Sequence, residues 1–151
     1  MRLVIQRVKN ASVSVDGGEP RAIEEGLCVL FGVKEGDRLD IIPKLAEKTA
    51  RLRIFSDEEG KMNLCASDIG GGVLVVPNFT LFADTKKGNR PSFIAAAQPD
   101  FASEAFNRYL GELKKYEWGA FAAGEFGADM LVTIANDGPV TIIMDTEEWS
   151  K

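Results

Sequence analysis

The chain has 151 residues, with 18 Lys and Arg against 23 Asp and Glu for a formal charge of −5, two cysteines and no histidine. Without imidazole there is no Ser-His or Cys-His nucleophile pair, no histidine general base near neutral pH and no histidine-ligated zinc or haem. Any chemistry therefore falls to carboxylates, Lys, Tyr, Cys, Thr, Ser, backbone groups or the substrate itself.

An apolar share of 45% and a charged share of 27% are ordinary for a soluble globular protein, and the length suits one domain over residues 1–151. Cys28 and Cys65 are too few for a disulfide scaffold or a four-ligand metal site, so they are expected to be buried reduced thiols in an intracellular setting. The segment Met1 to Arg7 turns polar after three apolar residues, and no apolar run reaches membrane-spanning length. The expectation is a cytoplasmic protein with no membrane contact. Net negative charge opposes non-specific polyanion binding, although a local basic patch can still meet a nucleic acid.

In chain order, Ala11, Val13 and Val15 alternate with Ser12 and Ser14 as a half-buried strand, and Gly17-Gly18 supplies the turn. Leu27 to Val33 is a continuous apolar run, short enough for a strand covered on both faces. A helix follows, capped by Asp37 or Asp40, with Pro43 in its first turn and Ile42, Leu45, Thr49 and Leu52 at helical spacing. Ser56 to Gly60 reads as a loop and Val73 to Val76 as another buried strand. A second helix opens at Pro99-Asp100, Asp100 accepting backbone hydrogen bonds, with Phe101, Ala105, Phe106, Tyr109, Leu113 and Tyr116 as its apolar stripe. Asp129 to Ala135 and Val140 to Met144 read as two further strands. The tally predicts an α+β domain, a curled, barrel-like mixed sheet packed with two main helices.

Two segments invite a chemical reading. Pro77-Asn78-Phe79-Thr80-Leu81 follows the buried strand and leads to the polar loop Asp84 to Phe93. A strand end that delivers Asn, Thr and turned N–H groups beside a basic loop suits an anionic or carbonyl ligand; the alternative is plain strand-loop punctuation. Asn136-Asp137-Gly138-Pro139-Val140-Thr141 reads as a hairpin turn, or as a Gly-Pro bond in the cis form that turns neighbouring carbonyls in an unusual direction. Gly70-Gly71-Gly72 lacks dinucleotide and P-loop spacing, and Thr80 and Ser92 have no histidine to activate them.

Together these stretches resemble the D-aminoacyl-tRNA deacylases over nearly the whole chain: Ile5-Gln6-Arg7-Val8 with Ala11-Ser12-Val13, then Arg53 to Asp57 with Gly60 to Asn63. The likeness continues through Phe79-Thr80-Leu81, Ala83-Asp84, Arg90 to Phe93, Phe126 to Met130 and Asn136 to Thr141. The resemblance implies a homodimer that hydrolyses the ester joining a D-amino acid to the 3′ end of tRNA, with glycyl-tRNA, including glycine mischarged on an alanine tRNA, as a secondary substrate. It implies that Gly138-Pro139, with a cis bond, reaches into the other subunit's site, where its carbonyls hold the α-amino group so that an L side chain collides. Arg7 matches the arginine that braces this motif.

The other half of the pocket is the family's Ser-Gln-x-Thr motif. Phe79 and Thr80 match it, but Pro77 stands where serine is usual and Asn78 where glutamine is usual. Pro77 loses a hydroxyl and an N–H, and Asn78 is one methylene shorter. A proline here also resembles a related animal branch with a trans Gly-Pro bond and a roomier pocket that accepts L-alanyl-tRNA. The expected mechanism uses no side-chain nucleophile or base, no metal and no cofactor. Backbone N–H groups of Asn78, Phe79 and Thr80 face the oxyanion, Thr80 shapes the pocket, and the terminal ribose 2′-hydroxyl helps to align water. Pro77, Arg7, Gly138 and Pro139 are the expected substrate contacts, and Lys86, Lys87 and Arg90 the expected tRNA phosphate contacts. A relaxed deacylase of L-alanyl-tRNA and a non-catalytic tRNA-binding homologue are the competing readings.

Overall fold

The computed structural model describes residues 1–150. Its first strand, β1 (Arg2–Val15), turns at Asp16 to Gly18 and returns as β2 (Arg21–Ile23) and β3 (Gly26–Gly32), both antiparallel to it. Asp16 and Gly17 take φ of 49° and 73°, the left-handed geometry that a tight turn asks for. Next come α1 (Ile42–Ala50), the short hairpin β4 (Phe55–Ser56) and β5 (Met62–Leu64), and then β6 (Gly72–Pro77), which pairs parallel with β3. Helix α2 (Pro99–Leu113) leads to β7 (Phe121–Ala123), parallel to β6, and β8 (Met130–Asp145) covers the free edge of β1. The result is a mixed, curled sheet with two helices, as expected from the pattern of elements. Among the described residues no helix is long and apolar enough to cross a membrane.

Alternation sorts side chains between two cores. Leu27, Val29 and Phe31 of β3 and Val73 and Val75 of β6 face the helices, where they meet Leu45, Phe106 and Tyr109. Cys28 of β3 and Leu74 and Val76 of β6 face the other way and pack with Val13 and Ile23, with Leu30 against them. Cys28 is buried and Cys65 half-buried, and both are free thiols; burial pushes Cys28 up to about 12, so it stays protonated. That fits the expected buried thiol for Cys28 and corrects it for Cys65.

Four local expectations change. Neither Asp37 nor Asp40 caps α1, because Asp37 accepts from the Lys34 N–H at 2.7 Å and pairs with the Met1 ammonium, while Asp40 pairs with Arg38. The helix closes at Ala50, so Leu52 lies beyond it yet still packs on the core. Asp100 sits inside the first turn of α2 rather than capping it, and Tyr116 follows the helix end.

The largest change concerns Asn136 to Thr141. Instead of a hairpin between two strands, β8 runs unbroken through it, antiparallel to β1 throughout. Thr141 pairs with Gln6 and Asn136 with Val8, so Asp137, Gly138, Pro139 and Val140 all lie opposite Arg7 alone. The surplus residues form a bulge, which absorbs Pro139's missing ladder donor.

Candidate active site

The site begins where β6 ends. Asn78 donates its N–H to the Phe31 carbonyl at 2.8 Å, continuing the β3–β6 ladder by one residue, and the chain then folds into a 3₁₀ turn, Phe79–Phe82. Asn78 is the N-cap of that turn. Its Oδ1 accepts from the Thr80 N–H at 3.2 Å and also from the Thr80 hydroxyl, as short polar side chains do at helix starts.

These bonds revise which N–H groups of the segment are free. Those of Asn78 and Thr80 are engaged inside the chain. The Phe79 N–H has no partner among the described residues, as the first donor of a turn should not.

Pro77, Asn78 and Phe79 line a cavity of about 870 Å³, together with Phe93, Phe126 and Met130. Thr80 does not line it; its side chain turns back to Asn78 and is exposed, which departs from the expected pocket-shaping role. Phe79 is 53% exposed, and its ring meets that of Phe93 edge-on at 5.1 Å, so the cavity mouth is aromatic. The stretch Phe126 to Met130 supplies a wall that residue chemistry alone did not suggest; Gly127 turns it with a φ of 78°.

Gly138 and Pro139 are exposed, joined by a cis bond, and do not line this cavity within the same chain. Arg7 lies under the bulge. Its Nη1 donates to the Ile54 carbonyl at 2.8 Å, and its Nε stands 3.2 Å from Asp137 Oδ2, an ion pair rather than an aligned hydrogen bond. Gly138 has a φ of 121°, and a Cβ there would stand 2.9 Å from Arg7 Nη2. The backbone geometry therefore calls for glycine here, and a Cβ would also stand 3.0 Å from the Val140 nitrogen.

Lys86, Lys87 and Arg90 lie on the exposed loop that Asp84 and Ser92 close by pairing. Among the described residues they make no ion pair, so their charges face solvent, away from the cavity lining.

Comparison with known proteins adds four findings. Residues 4–145 match the family model described as D-Tyr-tRNA(Tyr) deacylase. A D-aminoacyl-tRNA deacylase of Fusobacterium nucleatum subsp. nucleatum is 51% identical over 148 residues, 98% of this chain and 97% of that protein. Among solved structures, one titled c-Myc DNA Unwinding Element Binding Protein superposes with a TM-score of 0.87 at 40% identity, over 96% of this chain and 98% of that one. A probable eukaryotic D-amino acid tRNA deacylase, at 13% identity, shares the fold with a TM-score of 0.83 over 95% of this chain and 98% of the other.

Proposed function

The chain belongs to the D-Tyr-tRNA(Tyr) deacylase family, and from that premise we propose how it hydrolyses the ester of D-aminoacyl-tRNA. The observation that carries the reading is that Phe79, whose N–H has no partner among the described residues, lines a cavity of about 870 Å³. The ester carbonyl oxygen docks on that donor. Water adds to the carbonyl carbon, and the oxyanion of the tetrahedral intermediate takes the Phe79 N–H bond. Collapse breaks the bond to the ribose 3′-oxygen, which leaves with a proton, and the products are a free D-amino acid and tRNA. With no histidine in the chain, the neighbouring 2′-hydroxyl orients the water and passes the proton. Removing an oxyanion donor of this kind typically costs about 3 kcal/mol of transition-state stabilisation, so a single well-placed N–H carries real weight.

Gly138 and Pro139 do not line the cavity of their own chain, and in this reading their carbonyls hold the substrate's α-ammonium from outside it. A second copy supplies them: the bulge is exposed, and its carbonyls reach the partner's cavity in a homodimer. Pro77 and Asn78 border the space for the side chain. Lys86, Lys87 and Arg90 meet acceptor-stem phosphates, and binding weakens as salt rises. Charged tRNA as the substrate supports a cytoplasmic reaction.

Incubation with D-tyrosyl-, L-alanyl- and glycyl-tRNA tests this reading. Hydrolysis of the D-tyrosyl and glycyl esters is expected. Cleavage of the L-alanyl ester points instead to the relaxed branch, and inertness toward all three to a binding homologue. A substrate ending in 2′-deoxyadenosine should be cleaved far more slowly; full activity on it would sink substrate assistance.

A further inference from the structure

The turn that presents the Phe79 N–H is held at its far end by residues outside the motif. Directly paired residues on neighbouring strands project to one face of a sheet. Here Asp145 of β8, Arg2 of β1 and Gly32 of β3 stand in one such row. Gly32 adds no side chain, and the turn occupies the space: a Cβ at Gly32 would stand 3.1 Å from both the Asn78 carbonyl oxygen and Leu81 Cβ.

Arg2 reaches from the middle of the row to the end of the turn. Its Nη1 donates to the Leu81 carbonyl at 2.9 Å, and its guanidinium carbon lies 4.8 Å from the centre of the Phe82 ring. Its Nε donates to Asp145 Oδ2 at 2.9 Å, and Nη2 is 2.8 Å from the same oxygen. Asp145 is itself buried, and its other oxygen accepts the Glu147 N–H at 3.0 Å. The guanidinium is thus gripped on one side by a fixed carboxylate and grips the turn with the other.

We propose that Arg2, anchored by Asp145, is a positioning residue for deacylation: it fixes the C-terminal end of the Asn78–Phe82 turn and so sets where the Phe79 N–H points. The inference rests on the reading of that N–H as the oxyanion donor. Asn78 Oδ1 holds one end of the turn and Arg2 the other, and Leu81 is two residues from Phe79. A planar fork can bond the carbonyl and the carboxylate while stacking on the ring; a lysine ammonium, as a point donor, cannot do all three.

Arg2→Ala, Arg2→Lys and Asp145→Asn test this by two readouts, steady-state cleavage of D-tyrosyl-tRNA and amide hydrogen exchange. The Ala83 N–H, which closes the turn on the Thr80 carbonyl at 3.1 Å, is the reporter. In Arg2→Ala its exchange is expected to speed up, with kcat lowered about ten- to a hundredfold and KM within about twofold. Arg2→Lys and Asp145→Asn should fall between this variant and the parent. Unchanged exchange at Ala83 in folded Arg2→Ala would overturn the clamp. Faster exchange with kcat unchanged, or with a rise in KM alone, would overturn its link to the chemistry. If Arg2→Ala does not fold, Arg2→Lys carries the same two readouts. A parent protein inert on every aminoacyl-tRNA would refute the proposed function, while the exchange data still decide whether the clamp exists.

Discussion

The two faces of the sheet are built from the same strands and end in opposite conditions. On the helical face, Phe31 stacks on Tyr109 at 4.7 Å and 17°, Phe106 tilts against Phe31 at 6.0 Å, and α1 and α2 close the core. On the other face, Val8, Val13, Leu74 and Val76 are buried by the curl of the sheet, but Leu30, Met130, Val132 and Ile134 are left half-buried along the cavity. Strands β1 and β8 serve both faces: Leu3, Ile5, Ile142 and Met144 pack toward the helices, Ala11, Val13, Val132 and Ile134 toward the other core. The Arg7 and Gly138–Pro139 irregularity falls between these two halves. A face covered by the chain's own helices contributes stability, whereas a face left partly open contributes a site.

The comparison breaks first if the covered face proves tolerant. Tyr109→Ala should cost about 3–5 kcal/mol in denaturant unfolding, because a fully buried ring leaves a void that its neighbours cannot fill. Gly138→Ala, on the exposed bulge, should cost about 1–3 kcal/mol from strain at a φ of 121° and abolish deacylation in a tRNA release assay. A variant that remained fully active would detach the bulge from the site. Thr49→Val removes the hydroxyl that accepts from Tyr109 Oη at 2.8 Å, and should cost about 1–2 kcal/mol by thermal melts without changing kcat.

The smallest effect sits at the join between the faces. Burial pushes the Asp145 carboxyl up, but the Glu147 N–H, Arg2 and the Met1 ammonium outweigh it and hold it below its ordinary value of 3.8. A carboxylate with a lowered folded-state pKa adds stability above 3.8 and loses it as pH falls through the folded value. Asp145→Asn should therefore be less stable than the parent by about 1 kcal/mol at pH 7, and the gap should close below about pH 3.8, as urea titrations at several pH values would show.

Much of the fold was legible because burial imposes period. The runs Leu27 to Val33 and Val73 to Val76 became β3 and β6, and the stripes on α1 and α2 became helical contacts, since each element must hide an apolar face. Capping was less legible: Asp37 had a stronger partner in the buried Met1 ammonium, which the local sequence around α1 does not reveal. Asn136 to Thr141 carries every sign of a hairpin turn, yet β1 lies alongside on both sides of it and keeps the chain extended, so local preference yields to a long-range ladder.

The sequence by itself determined the element types, the alternation that divides two cores, the absence of imidazole chemistry and the motifs shared with a deacylase family. Those follow from residue identity and spacing, which need no partner across the fold. Tertiary structure decided which donor is free. Asn78 spends its N–H on Phe31, Thr80 spends its own on Asn78, and the Phe79 N–H is left at the cavity. It also decided that Arg2 meets Leu81 and Asp145, residues 79 and 143 positions away. Hydrogen-bond occupancy depends on which distant groups the sheet brings within reach, and that is a property of the folded ladder rather than of any segment within it.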